Sequence, residues 1–250
     1  MLVCADRTVK RGSDLKLKLQ CGFFILALAI ISPLSVFSSP REPMSKARVP
    51  AWLVGHMKQY RQKYTLSCEI ALIRLSLGLM GVPDASEDDI LDTIPRGGKD
   101  PECFFVCDDI SGGRKNADGS IHWDNYGTHP PVVVTEISHR IAGQGLSGRY
   151  VVRELRADDA ALRALISKDH RFLGAIVWLV GHPERWGAHP PVNGRGMVLG
   201  EHVRFLEPAL ADDGRFRLWD PETGSLLLSR DAGAARDLFS YRVVGIFTVR

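Results

Sequence analysis

The sequence predicts an α+β domain, and two observations carry that prediction. Residues 66–94 space their apolar side chains at helical intervals, whereas residues 172–249 fall into short apolar or alternating runs bounded by Gly, Pro and Asp. Helices gathered first and strands afterwards are the α+β pattern, with a mostly antiparallel sheet. At 250 residues, 45% hydrophobic and 24% charged, the chain is long enough to bury a substantial core. A formal net charge of +3 is small for this length, and no basic run interleaves with aromatics, so nucleic acid is not a predicted partner.

Taken in order, residues 1–38 read as a targeting segment. Arg7, Lys10, Arg11, Lys16 and Lys18 precede the apolar run GFFILALAIISPLSVFSS, which has the length of a signal peptide or a short anchor. Pro33 within the run and the small residues closing it predict export with cleavage. The alternatives are an uncleaved membrane anchor through residues 22–38, or a start at Met44 with no targeting segment. Residues 39–50, SPREPMSKARVP from Ser39, are charged and without periodicity and read as a linker to a single domain at 51–250.

Within that domain, residues 66–79 are apolar nearly all round, as a helix enclosed by its domain would be, with Ser67 at the cap position. DASEDDILDTIP is an acidic helix start whose inward face is Ile90, Leu91 and Ile94, stopped by Pro95. Residues 96–131 lack a regular pattern and are too long for a simple connection. PVVVTEISHRI is compatible with either a short strand or a helix, and ADDAALRALISK is a helix by its apolar spacing. FLGAIVWLV, GEHVRFLEPAL, GRFRLWD, GSLLLS and YRVVGIFTVR then read as successive strands.

Five cysteines are too few for a disulfide scaffold, and Cys4 and Cys21 fall in the segment expected to be removed. Cys103 and Cys107 are near neighbours and the obvious couple, as a disulfide or as two buried thiols, which leaves Cys68 free. With His122 or His129 they also have zinc-ligand chemistry. Their spacing, however, is wider than the commonest knuckle and no second matching pair is present, so no metal or other cofactor is predicted.

Cys68 is the residue whose position suits chemistry. Just after Ser67 it stands at a helix N-terminus, where the macrodipole favours a thiolate, although most cysteines in apolar helices only pack. A base is offered by His202, at the head of the strand run HVRFL. Asp220 ends the next strand run, and a hairpin of that length returns the end of one strand to the start of the other. An imidazole held by a carboxylate is what thiol acyl transfer needs. Taken singly, His202 also reads as a satisfied strand residue and Asp220 as the first residue of an Asp-Pro turn. Gln62, six residues before Cys68, is placed to donate to an oxyanion beside the cysteine N–H, with Gln59 as its competitor and a solvated loop residue as the plain alternative.

KQYRQKYTLSCEIALIRLSLGLMG, SEDDILDTIP, KDPECFFVCDDISGG, YGTHPPVVVTEI, RFLGAIVWLVG, GEHVRFLE and RLWDPETG, in this order, resemble the bacteriocin-processing cysteine peptidase family (double-glycine leader peptidase-like) in its stand-alone form. The resemblance covers residues 51–250. It implies a papain-like fold with N-terminal helices packed on the C-terminal sheet, Cys68 as nucleophile, His202 as base, Asp220 as its orienting group and Gln62 as oxyanion donor. It further implies an exported thiol hydrolase acting on a peptide or protein substrate without a cofactor. The sequence has no GxxxxGK loop and no second apolar domain, so the transporter-fused form is not expected. One residue departs from the pattern: Glu69 stands where the family commonly has glycine. Pointing inward it opposes thiol ionisation; facing solvent it only complements the helix dipole. A binding module of the same fold without catalysis, or a Cys-dependent acyl or amide transferase, remains the alternative function.

Overall fold

A computed structural model of the chain describes residues 57–82, 85–107, 110, 125–180, 201–232 and 242–249, all within a unit spanning Lys46–Arg250. The targeting run, the linker and the loop segments around His122 and His189 lie outside the described residues. No helix among the described residues is long and apolar enough to cross a membrane.

Two short strands, β1 (Val106–Cys107) and β2 (Asn125–Gly127), pair antiparallel. The remaining strands are β3 (Tyr150–Arg156), β4 (Phe172–Val180), β5 (Glu201–Leu210), β6 (Phe216–Asp220), β7 (Ser225–Ser229) and β8 (Arg242–Thr248). They form one six-stranded sheet in the order β3-β8-β4-β5-β6-β7, with every neighbouring pair antiparallel. The helices are α1 (Cys68–Leu79), α2 (Glu87–Leu91), α3 (Pro130–Gly143) and α4 (Asp159–Lys168). The α+β class and the mostly antiparallel sheet are thus both observed.

Strand periodicity divides the core in two, because successive side chains leave a strand on opposite faces. Ile176, Trp178, Val203, Phe205, Trp219, Val244 and Ile246 face the side covered by α1, whose Ile70, Leu72, Ile73 and Leu75 are fully buried there. Ala175, Val177, Leu206, Leu218, Val243 and Phe247 take the other face, against Leu162 of α4. A helix apolar nearly all round needs partners on several sides. α1 finds them in the sheet and in Ile90, Leu91 and Ile94 of the α2 segment, and α3 adds Val133, Ile137 and Ile141.

Two elements needed the structure. PVVVTEISHRI is helical: Pro130 and Pro131 occupy the first turn, where a missing N–H costs nothing, and Val133, Ile137 and Ile141 recur at four-residue spacing on the buried side. β3 is absent from the sequence-based reading because it is an edge strand paired only with β8. Val152 is buried but Val151 is exposed, so its apolar signal is weak.

Candidate active site

Cys68 is the first residue of α1. Ser67 occupies the N-cap position, and its carbonyl accepts from Ala71 N–H at 2.9 Å, but its side chain does not cap the helix. Ser67 Oγ instead accepts from Tyr64 N–H at 3.1 Å and donates to Tyr64 O at 3.0 Å, closing the turn that leads into α1. The predicted cap is therefore right in position and different in bonding. As the first helical residue, Cys68 has a backbone N–H with no acceptor inside the helix, which leaves it available to a developing oxyanion.

The head of α1 meets the sheet at the open edge of β5. Phe205 pairs with Trp219 and Leu206 with Leu218, so β6 runs out at Asp220, opposite Arg204. Beyond that point the Val203 N–H has no β6 partner and lies against the Cys68 thiol instead. The loop before α1 is tied to the same corner, because Gln62 N–H donates to Pro221 O at 2.9 Å.

The same register brings His202 and Asp220 together. His202, Arg204 and Asp220 share one face of the sheet, the face opposite Val203, Phe205 and α1, and residues diagonal across an antiparallel pair are within reach of long side chains; among the described residues no hydrogen bond joins His202 to Cys68. His202 Nε2 lies 3.1 Å from Asp220 Oδ2, and both side chains are buried. Since the carboxylate can only accept, Nε2 carries the proton and Nδ1 is the nitrogen left for a reacting group. Arg204 Nε donates to the same oxygen at 2.9 Å, while Asp220 Oδ1 accepts from Glu222 N–H at 3.0 Å and Thr223 N–H at 3.2 Å. Burial by itself would raise the Asp220 pKa; the His202 bond and charge, then Arg204 and the turn amides, bring it well below the usual carboxylate range. Asp220 is thus both the turn initiator of DPETG and the partner of His202. Arg204 escaped the sequence reading, although its place two residues after His202 on one strand was the available signal.

Glu69 resolves the alternative left open by the sequence: it points inward and is 2% exposed. The Cys68 thiol donates to Glu69 Oε2 at 3.1 Å, and Glu69 Oε1 accepts from Thr128 N–H at 3.0 Å. Gly127 makes room for that carboxylate. Its φ is +104°, and a Cβ built there would lie 2.3 Å from Glu69 Oε1. Burial first, then the neighbouring Glu69 and Glu201 carboxylates, push the Cys68 pKa up, and burial likewise raises that of Glu69. The resting thiol is therefore protonated and bonded to Glu69 rather than to His202. Gly127→Ala should cost about 1–3 kcal/mol, from a left-handed φ plus displacement of Glu69. Denaturant unfolding checks this, with the Glu69→Gly background expected to recover the steric part.

Gln62 is half-buried and its amide is engaged locally: Nε2 donates to Thr65 O at 3.1 Å, and Oε1 is buried without a hydrogen-bond partner. Its amide N–H is thus held by the turn that precedes α1. Gln59 is exposed on a short 3-10 turn, Met57–Tyr60. Of the two alternatives for Cys103 and Cys107, the disulfide between them is not formed, and Cys107 is buried. His129 Nδ1 lies 2.8 Å from Glu102 Oε1 and its Nε2 lies 3.2 Å from the Tyr126 hydroxyl, so both ring nitrogens are occupied; His122 lies outside the described residues. Among the described residues, the three metal-ligand types that come together are His202, Asp220 and Glu222. The Arg204 guanidinium already sits on the oxygen of Asp220 that faces the imidazole.

No protein-family model and no curated protein matches this chain. Among solved structures, a protein from Bacillus anthracis provisionally assigned as a C39-like peptidase is similar, with a TM-score of 0.52 at 11% sequence identity, covering 76% of this chain and 91% of that one. At that identity the likeness shows the fold: an α+β, papain-like arrangement of the C39-like peptidase kind, as expected.

Proposed function

We propose that the protein is a stand-alone thiol hydrolase of the bacteriocin-processing type that cleaves peptide or amide bonds through a thioester acyl-enzyme. The observation that carries this reading is the buried His202–Asp220 pair on adjacent strands, together with a cysteine at a helix N-terminus that packs on β5, the strand bearing His202. His202 Nδ1 takes the thiol proton as Sγ attacks the carbonyl carbon. The resulting oxyanion is met by the Cys68 N–H and by Gln62 Nε2, once that amide leaves Thr65 O. Collapse breaks the C–N bond with the proton passing from His202 to the leaving amine, and water then hydrolyses the thioester to release the acid. The likeness to a structure described as a C39-like peptidase supports this assignment.

The substrate is proposed to be a peptide or protein, and the setting the cell envelope or exterior, reached through the apolar run at residues 22–38. The test uses the purified protein with a peptide mixture read by mass spectrometry. Cys68→Ala is expected to abolish all cleavage, and one equivalent of iodoacetamide on Cys68 is expected to block it. A second reading, a papain-like binding module without turnover, is favoured by the Cys68–Glu69 bond, which holds the nucleophile as a thiol. It predicts that Cys68→Ala keeps full ligand affinity and that the parent cleaves nothing.

A further inference from the structure

The inward carboxylate is not an isolated substitution. Glu201 starts β5 on the same face as Val203 and Phe205, the face packed under α1. Both of its carboxylate oxygens are shut off from solvent and carry no hydrogen bond. Two donors stand nearby, the Tyr126 hydroxyl and the Trp178 indole N–H. Each also has a nearer partner of its own. Trp178 Nε1 donates to Thr128 O at 3.0 Å, and the Tyr126 hydroxyl lies 3.2 Å from His129 Nε2, the ring nitrogen left accepting when Nδ1 donates to Glu102. The strand's own basic side chains are also committed, since His202 and Arg204 both turn to Asp220. Glu69, in a pocket kept open by Gly127 and oriented by Thr128 N–H, offers its second oxygen to the thiol alone.

Two buried carboxylates therefore share the neighbourhood of the Cys68 thiol, Glu69 bonded to it and Glu201 on the β5 face packed under α1, with no cation paired to either among the described residues. Burying ionised carboxylates is costly unless a charge or hydrogen bonds compensate. We infer that Glu69 and Glu201 form a cation subsite next to the nucleophile, and that the substrate presents a primary ammonium group beside the scissile bond. The inference rests on the hydrolase reading for the word substrate, but the subsite itself does not. A bound ammonium would draw Glu69 away from Sγ, so that recognition of the charge also releases the thiol to His202. Binding energy is then used where the reaction occurs, which is how a specificity group raises kcat as well as lowering KM. This gives Glu69 a purpose that glycine at the same position could not serve.

The subsite is tested first without any substrate. Folded protein is labelled with 2-aminoethyl, 2-hydroxyethyl and 2-sulfonatoethyl methanethiosulfonate, and the Cys68 rate, located by mass spectrometry, is divided by each reagent's rate with free 2-mercaptoethanol. A site lined by one sign of charge raises encounter with the opposite sign by about 10- to 1000-fold. The normalised rate of the cationic reagent is accordingly expected to exceed that of the anionic reagent at least tenfold. Glu201→Gln and Glu69→Gln, isosteric and uncharged, should each shrink the ratio. Equal rates for the three reagents in the parent, or a ratio that both variants leave unchanged, would overturn the inference.

Two peptide sets then separate the sources of the ammonium. One is Nα-acetylated with lysine or norleucine scanned through each position; the other has a free N-terminus and norleucine only. Faster cleavage of the lysine peptides assigns a side-chain ammonium, faster cleavage of the second set an α-ammonium, and either preference should fall in Glu201→Gln. Cleavage indifferent to both charges overturns the substrate class. A cationic preference in labelling with no cleavage of any peptide upholds the subsite and sinks the hydrolase reading instead.

Discussion

Asp220→Asn is expected to lower turnover by about 10⁴-fold while leaving the sheet in place. Asp220 Oδ2 accepts from both His202 and Arg204, and Oδ1 accepts from two turn amides, so four donors converge on one carboxylate. An asparagine has one acceptor oxygen and must set its NH₂ against one of these pairs. If it keeps the turn, the imidazole loses the bond that fixes its proton on Nε2 and leaves Nδ1 unprotonated to act as the base. Steady-state kinetics on a cleaved peptide measure this. Loss of activity should be accompanied by little change in the rate at which iodoacetamide reaches Cys68 at high pH, where no base is needed.

The same residue makes an acid-stability prediction. Because the folded-state pKa of Asp220 is depressed, its ionised form favours folding above the unfolded carboxyl value of about 3.9, and that contribution is lost as the pH falls toward the folded value. The parent should lose stability progressively below about pH 4, and Asp220→Asn should lose less over that window, measured by urea midpoints.

Glu69→Gln is expected to act in the opposite sense on the nucleophile. The Cys68 thiol donates to a buried carboxylate oxygen, and a hydrogen bond to an acceptor of this type in its charged form is worth roughly 1.5–3 kcal/mol. Removing the charge withdraws what holds the thiol protonated. Iodoacetamide should therefore modify Cys68 about ten- to a hundredfold faster at neutral pH. The alkylation–pH profile should move toward lower pH, and His202→Ala should move it back. A slower reaction in Glu69→Gln would mean that Glu69 serves as the proton acceptor rather than as a restraint. The variant should also be more stable than the parent at neutral pH. Burial raises the Glu69 pKa, so ionising it opposes folding above the unfolded carboxyl range, and that penalty disappears on acidification.

Several parts of this site were legible before any coordinates. Period-two alternation marked five strands of the main sheet, and length alone placed Asp220 near His202, because a hairpin must return its second strand to the start of the first. Cys68 was legible as a helix start from the apolar run that follows it. β3 was not, since an edge strand paired on one side buries few side chains, and neither was the choice of helix for the segment after His129, where Val and Ile favour strands locally but pack here at four-residue spacing.

The sequence by itself determined the class of fold and the kinds of group that could react, because both depend on periodicity and residue type along the chain. The tertiary structure decided where those groups point. Glu69 differs from a solvated first-turn acid only because Gly127 and Thr128, 58 and 59 residues away, leave it a space and an N–H. Arg204 joins the His202–Asp220 pair only through strand register. Glu201 is shut in without a hydrogen bond among the described residues because the nearest polar side chains, Tyr126 and Trp178, lie within bonding distance of His129 and Thr128 O. Hydrogen bonds and burial between residues distant in the chain leave no period in a sequence, so the electrostatics of the nucleophile become visible only when those residues are brought together.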